Sequence, residues 1–347
     1  MCNKFYEKCV QCPRRCSINR NSGKTGVCGE DNQLRIALAC LHFGEEPLVT
    51  VHGGSGTIFF TGCTLRCAFC QNYQISQDGL GKAVSKDEFV KICLELQKAG
   101  AENINLITGS HQIPLIAEYL KAARQGGCTI PYCWNSSAYE SVEMLELLKP
   151  YVSIWLPDLK TLNPDVSKKL FAAQDYPQVA TKAISWMIKN FPMEFSEEKS
   201  KCDYTDSNGY FIKTGTIKDK MQQGVIIRHL FLPGRFEDTA ETLQWLKENA
   251  DSQSVISLMS QYTPVPFNEN EKKLSARKQA LCAIENRLVT QTEDQDLQDL
   301  IEAFDFDLLF YQELSDDTDW LPDFCRKQPF SNKLAKPIWH CNYGFCQ

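Results

Sequence analysis

The sequence predicts an α/β chain: a partial (β/α)6 TIM-like barrel, preceded by a small cysteine-rich module and followed by a strap. Three observations predict it. Short apolar runs alternate with amphipathic helical patterns from about residue 57 to residue 265. Four cysteines crowd the first 28 residues, with Gly23, Gly26 and Gly29 around the last of them. Beyond residue 266 the alternation loosens into two helical stretches and an aromatic, proline-containing tail. Alternating strand and helix signals call for a parallel sheet with right-handed crossovers.

Candidate strands cover residues 57–61, 103–108, 130–134, 152–157, 224–231 and 255–259. The helices between them fall at 85–99, 112–125, 139–149, 177–189 and 237–250. Ser85 reads as the N-cap of the first, with Glu88 three residues on and Gly100 after its end. Functional residues are expected at the carboxyl ends of the strands. Residues 190–223 interrupt the pattern; they are polar, contain the turn signal Ser207-Asn208-Gly209, and read as a surface lobe. The expected divisions are 1–52, 53–265 and 266–347. The first is too small to build a core alone.

Composition narrows the function. The 347 residues carry a formal net charge of -6, so a phosphate-gripping nucleic-acid protein is not expected. No apolar run approaches the roughly 20 residues that span a bilayer. The residues from Met1 to Glu7 lack the apolar stretch of a secretory signal, and a cytoplasmic location is expected. In that reducing compartment, 17 cysteines point to metal or catalysis rather than to disulfides.

Directly after the first strand stands Gly62-Cys63-Thr64-Leu65-Arg66-Cys67-Ala68-Phe69-Cys70-Gln71-Asn72. Thiolates are the usual ligands of iron–sulfur clusters, and three of them leave one iron of a cubane open. The spacing by itself is equally compatible with a zinc knuckle or with buried thiols serving as small hydrophobes. Placement at the end of the first barrel strand favours the cluster.

The triplet, with Phe69 before its third cysteine and the barrel pattern behind it, resembles the radical S-adenosylmethionine (SAM) superfamily. Phe59-Phe60-Thr61-Gly62-Cys63, Cys70-Gln71-Asn72-Tyr73-Gln74-Ile75-Ser76, Trp155-Leu156-Pro157-Asp158-Leu159-Lys160, Arg228-His229-Leu230-Phe231-Leu232-Pro233-Gly234 and Met259-Ser260-Gln261-Tyr262 resemble homologues of pyruvate formate-lyase activating enzyme. The resemblance implies a [4Fe-4S] cluster on Cys63, Cys67 and Cys70, with SAM chelated at the open iron. It implies reductive cleavage of SAM to a 5′-deoxyadenosyl radical that abstracts hydrogen from a substrate. It further implies an electron donor such as flavodoxin or ferredoxin. The substrate is left open between a glycyl radical partner protein, a peptide and a small metabolite.

Residues expected to contact SAM are Phe69, Asn135, Ser137, Asp158, Lys160 and Arg228, with Gly109 and Ser110 offering backbone contacts. The family's acidic residue after the second strand is missing from Ile107-Thr108-Gly109-Ser110-His111. Asn135 and Ser137 equally suit a helix N-cap, while Asp158 and Lys160, at the end of the fourth strand, are favoured as site residues over a structural ion pair. Strand alternation sends Arg228 and His229 to opposite faces, so only one enters the barrel; Arg228, with its bidentate fork, is the choice. Gln261 and Tyr262 are weaker candidates. Cys9, Cys12, Cys16 and Cys28 read as ligands of zinc or of an auxiliary iron–sulfur cluster, with Arg14, Arg15 and Arg20 as solvated neighbours. His42 and His52 read as structural. Cys325, Cys341 and Cys346 form a weaker metal set. The reading from another class is a non-catalytic iron–sulfur or zinc protein, acting as a redox sensor or adaptor.

Overall fold

A computed structural model describes residues 3–51, 53–199, 210–212, 219–267, 270–312, 314, 320–331 and 334–346. His52, Cys202 and the Ser207-Asn208-Gly209 turn lie outside the described residues. Strand β1 is Arg35–His42, β2 Ser55–Phe60, β3 Ile104–Ile107, β4 Tyr132–Ser136, β5 Val152–Pro157, β6 Asp219–Leu230, β7 Val255–Met259, β8 Leu309–Gln312 and β9 Ala335–His340. Strands β2 to β8 pair in parallel, in chain order, as an open sheet. Helices connect them, including Lys86–Lys98, Ile113–Gln125, Val142–Leu148, Tyr176–Asn190 and Phe236–Asn249. All six expected strands are present. A seventh, β8, extends the parallel run with residues that the sequence pattern assigns to the extension.

The strand side chains follow period two. Cys133, Ile154, Leu156, Ile226, Val255 and Phe310 point into the barrel. Their neighbours Trp134, Trp155, Ile227, Ile256 and Leu309 point outward into the layer shared with the helices. The helix faces match: Phe89, Ile92, Cys93 and Leu96 recur at three- and four-residue spacing along Lys86–Lys98 and are buried. Ser85 caps that helix by accepting from the Glu88 N–H, and Gly100 follows with φ +96°.

The chain before β2 is bound into this barrel. Strand β1 pairs antiparallel with β2, and β9 pairs antiparallel with β1 on its other edge. Between β1 and β2 the chain dips into the barrel, where Leu48 and Val49 join the interior apolar set and plug it. The polar interruption is likewise tied to the sheet. Glu194–Lys199 pairs antiparallel with the first half of β6, and Tyr210–Ile212 pairs with β8. Phe195 opposite Met221 explains why this stretch is strand: both enter the interior apolar set. Among the described residues, no helix is long and apolar enough to cross a membrane.

Candidate active site at the barrel mouth

A cavity of about 400 Å³ opens at the carboxyl ends of the parallel strands. After β2 the chain turns at Gly62, whose φ is +84°. A side chain there would meet Glu30 Cγ at 2.4 Å and the Cys28 carbonyl at 2.8 Å, so only glycine fits. The loop that follows is pinned from both sides. Cys63 N–H donates to the Cys28 carbonyl (3.4 Å) and Ala68 N–H to that of Leu170 (2.9 Å). Arg14 Nε donates to the Thr64 carbonyl (2.8 Å), Gln77 Nε2 to that of Cys67 (2.9 Å) and Arg277 to that of Ala68 (2.9 Å). So held, Cys63, Cys67 and Cys70 all line the cavity. Burial pushes the Cys67 and Cys70 thiols up, against opposition from Lys160 and from the Ser76 hydrogen bond respectively.

The cavity wall opposite carries a charge network. Arg228 lies on the interior face of β6. Its Nε donates to Asp158 Oδ1 at 2.9 Å, and its Nη2 lies 2.7 Å from the same oxygen and donates to Asn135 Oδ1 at 2.5 Å. Lys160 Nζ lies 2.7 Å from Asp158 Oδ2. Burial pushes the Asp158 carboxyl up, but Arg228 and Lys160 outweigh it and hold the group below the usual carboxylate range. His229 faces the helices, bonding the Leu159 carbonyl at 2.6 Å and Thr239 Oγ1 at 3.0 Å. Burial brings its imidazole down to about 4.

Two carboxylates beside this network have no part in the sequence reading. Glu45 and Glu46 come from the plug after β1 and both line the cavity. Glu45 accepts from Asn105 Nδ2 and from Asn135 Nδ2 (3.5 Å), and lies 3.6 Å from Arg228. Glu46 accepts from Ser257 Oγ at 3.0 Å. Burial raises the Glu46 carboxyl to about 7, with Arg228 opposing and Glu45 adding to the rise. Nothing in the local sequence marks this pair of acids, because their partners lie far along the chain.

The other expected residues divide. Phe69, Asn135 and Ser137 line the cavity, as do Gln261, Tyr262 and Thr108. The Ser137 hydroxyl is buried with no hydrogen-bond partner among the described residues. Gly109 and Ser110 are not among the lining residues. A Cβ on Gly109 would meet Ile116 at 2.3 Å and Trp134 at 3.0 Å, so helix packing demands the glycine. Ser110 Oγ donates to Glu140, a buried acid raised to about 7 by its burial. An acid thus does stand beside Ser110, supplied by a later part of the chain. His111 is buried and its imidazole is brought down to about 3, first by burial and then by Arg20. His42 lines the cavity and packs edge-on against Phe330.

In the N-terminal module, Cys9, Cys12 and Cys28 are buried and Cys16 is half-buried. Burial pushes Cys12 up to about 12, and Cys28, Cys9 and Cys16 each lie close enough to add to the rise. The neighbouring arginines differ from the sequence reading. Arg20 is buried beneath Tyr6 and donates to the carbonyls of Asp31 (3.0 Å) and His111 (2.8 Å). Arg14 clamps the triplet loop and also donates to the Phe171 carbonyl at 2.6 Å. Only Arg15 is left to solvent among the three, because the carbonyls at module and barrel ends otherwise lack donors. In the tail, Cys325 is exposed while Cys341 and Cys346 are half-buried. Cys325 takes Gln74 Nε2 at 3.7 Å, and Cys346 bonds the Gly344 carbonyl at 3.7 Å. The tail residues Trp320 and Phe330 reach the cavity. Cys40, Cys93, Cys128 and Cys133 are buried packing residues, and Cys282 is exposed.

Among the described residues, no three His, Cys, Asp or Glu side chains converge where a single metal ion would be held. A tetrahedral zinc needs all its thiolates at about 2.3 Å from one point. A four-iron cubane takes each thiolate at a different iron, and Cys63, Cys67 and Cys70 line one cavity where it would sit. The Ser137 hydroxyl, without a hydrogen-bond partner among the described residues, and the Asp158–Lys160–Arg228 network face the same cavity.

Residues 57–193 match the model of the Radical SAM superfamily. An uncharacterized protein of Methanocaldococcus jannaschii is 27% identical over 314 residues, covering 88% of this chain and 78% of that protein. Streptococcus suis SuiB bound to the precursor peptide SuiA is 13% identical, with a TM-score of 0.45, over 71% of this chain and 45% of that one. A domain of pyruvate-formate lyase-activating enzyme from Bacteroides vulgatus is 11% identical, with a TM-score of 0.35, over 57% of this chain and 90% of that one. The chain thus spans about half the length of the SuiB structure.

Proposed function

We propose that this chain, which matches the model of the Radical SAM superfamily over residues 57–193, has at its barrel mouth the active site of a SAM-cleaving enzyme, with Cys63, Cys67 and Cys70 holding a [4Fe-4S] cluster. The observation that carries this reading is that these three thiols, Phe69, Ser137, Asp158 and Lys160 all line one cavity. A cluster held by Cys63, Cys67 and Cys70 would supply one electron, drawn from a flavodoxin- or ferredoxin-like donor, to split SAM into methionine and a 5′-deoxyadenosyl radical able to take hydrogen from substrate.

The chain's own residues do the rest. Asp158 accepts donors of SAM, and Lys160 and Arg228 keep that carboxylate ionised. Ser137 Oγ supplies a hydrogen bond that no group among the described residues takes. Phe69 packs edge-on against Phe171 and Tyr262 and gives an apolar face beside the third cysteine. Phe59, Trp320 and Phe330 close the mouth with aromatic surface, which keeps water from a reactive radical. Cys9, Cys12, Cys16 and Cys28 are proposed as a second, structural metal set whose module braces the triplet loop.

Glycyl radical formation on a partner protein and modification of a peptide or small metabolite both fit such a site. The test of the class is direct. Anaerobically reconstituted protein given SAM and dithionite is expected to release 5′-deoxyadenosine, and Cys63→Ala to release none. No 5′-deoxyadenosine above the Cys63→Ala background would return the protein to the redox-sensor or adaptor reading.

A further inference from the structure

Glu46 stands deeper in the barrel than the cysteine triplet. It bonds Ser257, in the middle of β7, whereas the triplet lies beyond the end of β2. Its carboxyl is 96% removed from solvent, given a relative exposure of 4%, and Glu46 lines the cavity. One oxygen takes the Ser257 hydroxyl; the other, Oε2, has no hydrogen-bond partner among the described residues.

The charged groups Glu45, Arg228 and Lys160 around it are already paired. Glu45 is occupied by Arg228, by Asn105 and Asn135, and by the Glu46 N–H at 3.3 Å. Arg228 is spent on Asp158, Asn135 and Glu45, and Lys160 on Asp158. A substrate carboxylate or phosphate entering here would meet cations already paired and would face two acids. A group that donates hydrogen bonds and carries positive charge would satisfy Oε2 and offset the acids together. An ionised carboxylate is acceptor-only, and leaving it buried and unmatched is costly. Such a group either takes up a proton or is matched by a cation.

We propose that Glu46 is the recognition point for a primary ammonium group on a small substrate, held inside the barrel on the far side of the SAM site. This deepens the radical SAM reading and rests on it. The raised Glu46 carboxyl agrees with the assignment, because an arriving cation is what would restore the group to its ordinary range.

The test uses full-length, reconstituted protein with SAM present, titrated calorimetrically at pH 8 with n-butylammonium, butan-1-ol and butyrate. Wild type is expected to bind n-butylammonium at least tenfold more tightly than either other probe. Glu46→Gln, which keeps the shape and removes the charge, is expected to abolish that preference. Equal binding of butanol, tighter binding of butyrate, no detectable ammonium binding, or an undiminished preference in Glu46→Gln overturns the proposal. If the variant does not fold, the three-probe comparison on wild type decides alone. 5′-Deoxyadenosine release from the same preparation separates the two readings: release without ammonium preference sinks only the Glu46 assignment.

Discussion

The backbone N–H of Cys63 donates to the carbonyl of Cys28 at 3.4 Å, which joins the last cysteine of the N-terminal set to the first of the barrel triplet. Gly62 stands between the two, packed against the same carbonyl and against Glu30. Geometry in the N-terminal module is therefore transmitted to the loop that presents Cys63, Cys67 and Cys70.

Gly62→Ala tests that coupling. It places a Cβ on backbone atoms at a φ of +84°, so the loop must move. Strain of this kind costs on the order of 1–3 kcal/mol. The variant is expected to keep its helical circular dichroism while losing most of the iron held by the triplet, as iron per chain after reconstitution will show.

Cys12→Ser is expected to act through the module. It removes a buried member of the N-terminal set without touching the triplet. The expected result is lower thermal stability and lower total metal per chain. A normally folded variant with full metal content but no SAM cleavage would instead place the N-terminal set in the reaction.

Arg228→Met leaves Asp158 and Glu45 buried beside an uncharged side chain. Breaking one member of a buried ionic network costs roughly 3–5 kcal/mol. The loss is expected as a lower urea midpoint at neutral pH. It should be partly recovered in the double variant Arg228→Met with Asp158→Asn, which removes a stranded charge.

Glu46 gives a pH dependence with a defined sign. Its folded-state value of about 7 lies above the ordinary 4.5, because burial disfavours the charged form. The folded chain therefore holds a proton that the unfolded chain releases. This contribution is fully present below about pH 4.5 and is lost as pH rises through about 7. Between pH 5.5 and 8.5, wild type is expected to lose stability relative to Glu46→Gln, measured by denaturant midpoints in substrate-free protein.

The barrel was legible because its strands obey simple rules. Val152–Pro157 and Val255–Met259 are buried apolar runs bounded by turn residues, and their edges fall where the sequence places them. The side-chain alternation that separates Arg228 from His229 is equally local. What the sequence hid depends on long-range neighbours. Leu309–Gln312 is too short to announce itself and becomes a strand by pairing with β7. Glu45 and Glu46 draw no reading from the sequence, because nothing nearby in the chain reveals Asn105, Ser257 and Arg228 around them. Glu140 stands beside Ser110 across 30 residues, and Arg20 is buried by partners as far away as His111. Polar residues are assigned to the surface by default, and only tertiary structure supplies the partners that let them be inside.

The central claim is an iron–sulfur cluster on Cys63, Cys67 and Cys70 with one iron open to SAM. Electron paramagnetic resonance of dithionite-reduced, oxygen-free protein, recorded before and after adding SAM, addresses it most directly. The account predicts a reduced-cluster signal that changes shape on SAM addition and whose SAM-responsive part is missing from Cys63→Ala. A spectrum indifferent to SAM, or triplet thiolates occupied by zinc with no paramagnetic signal, would contradict it.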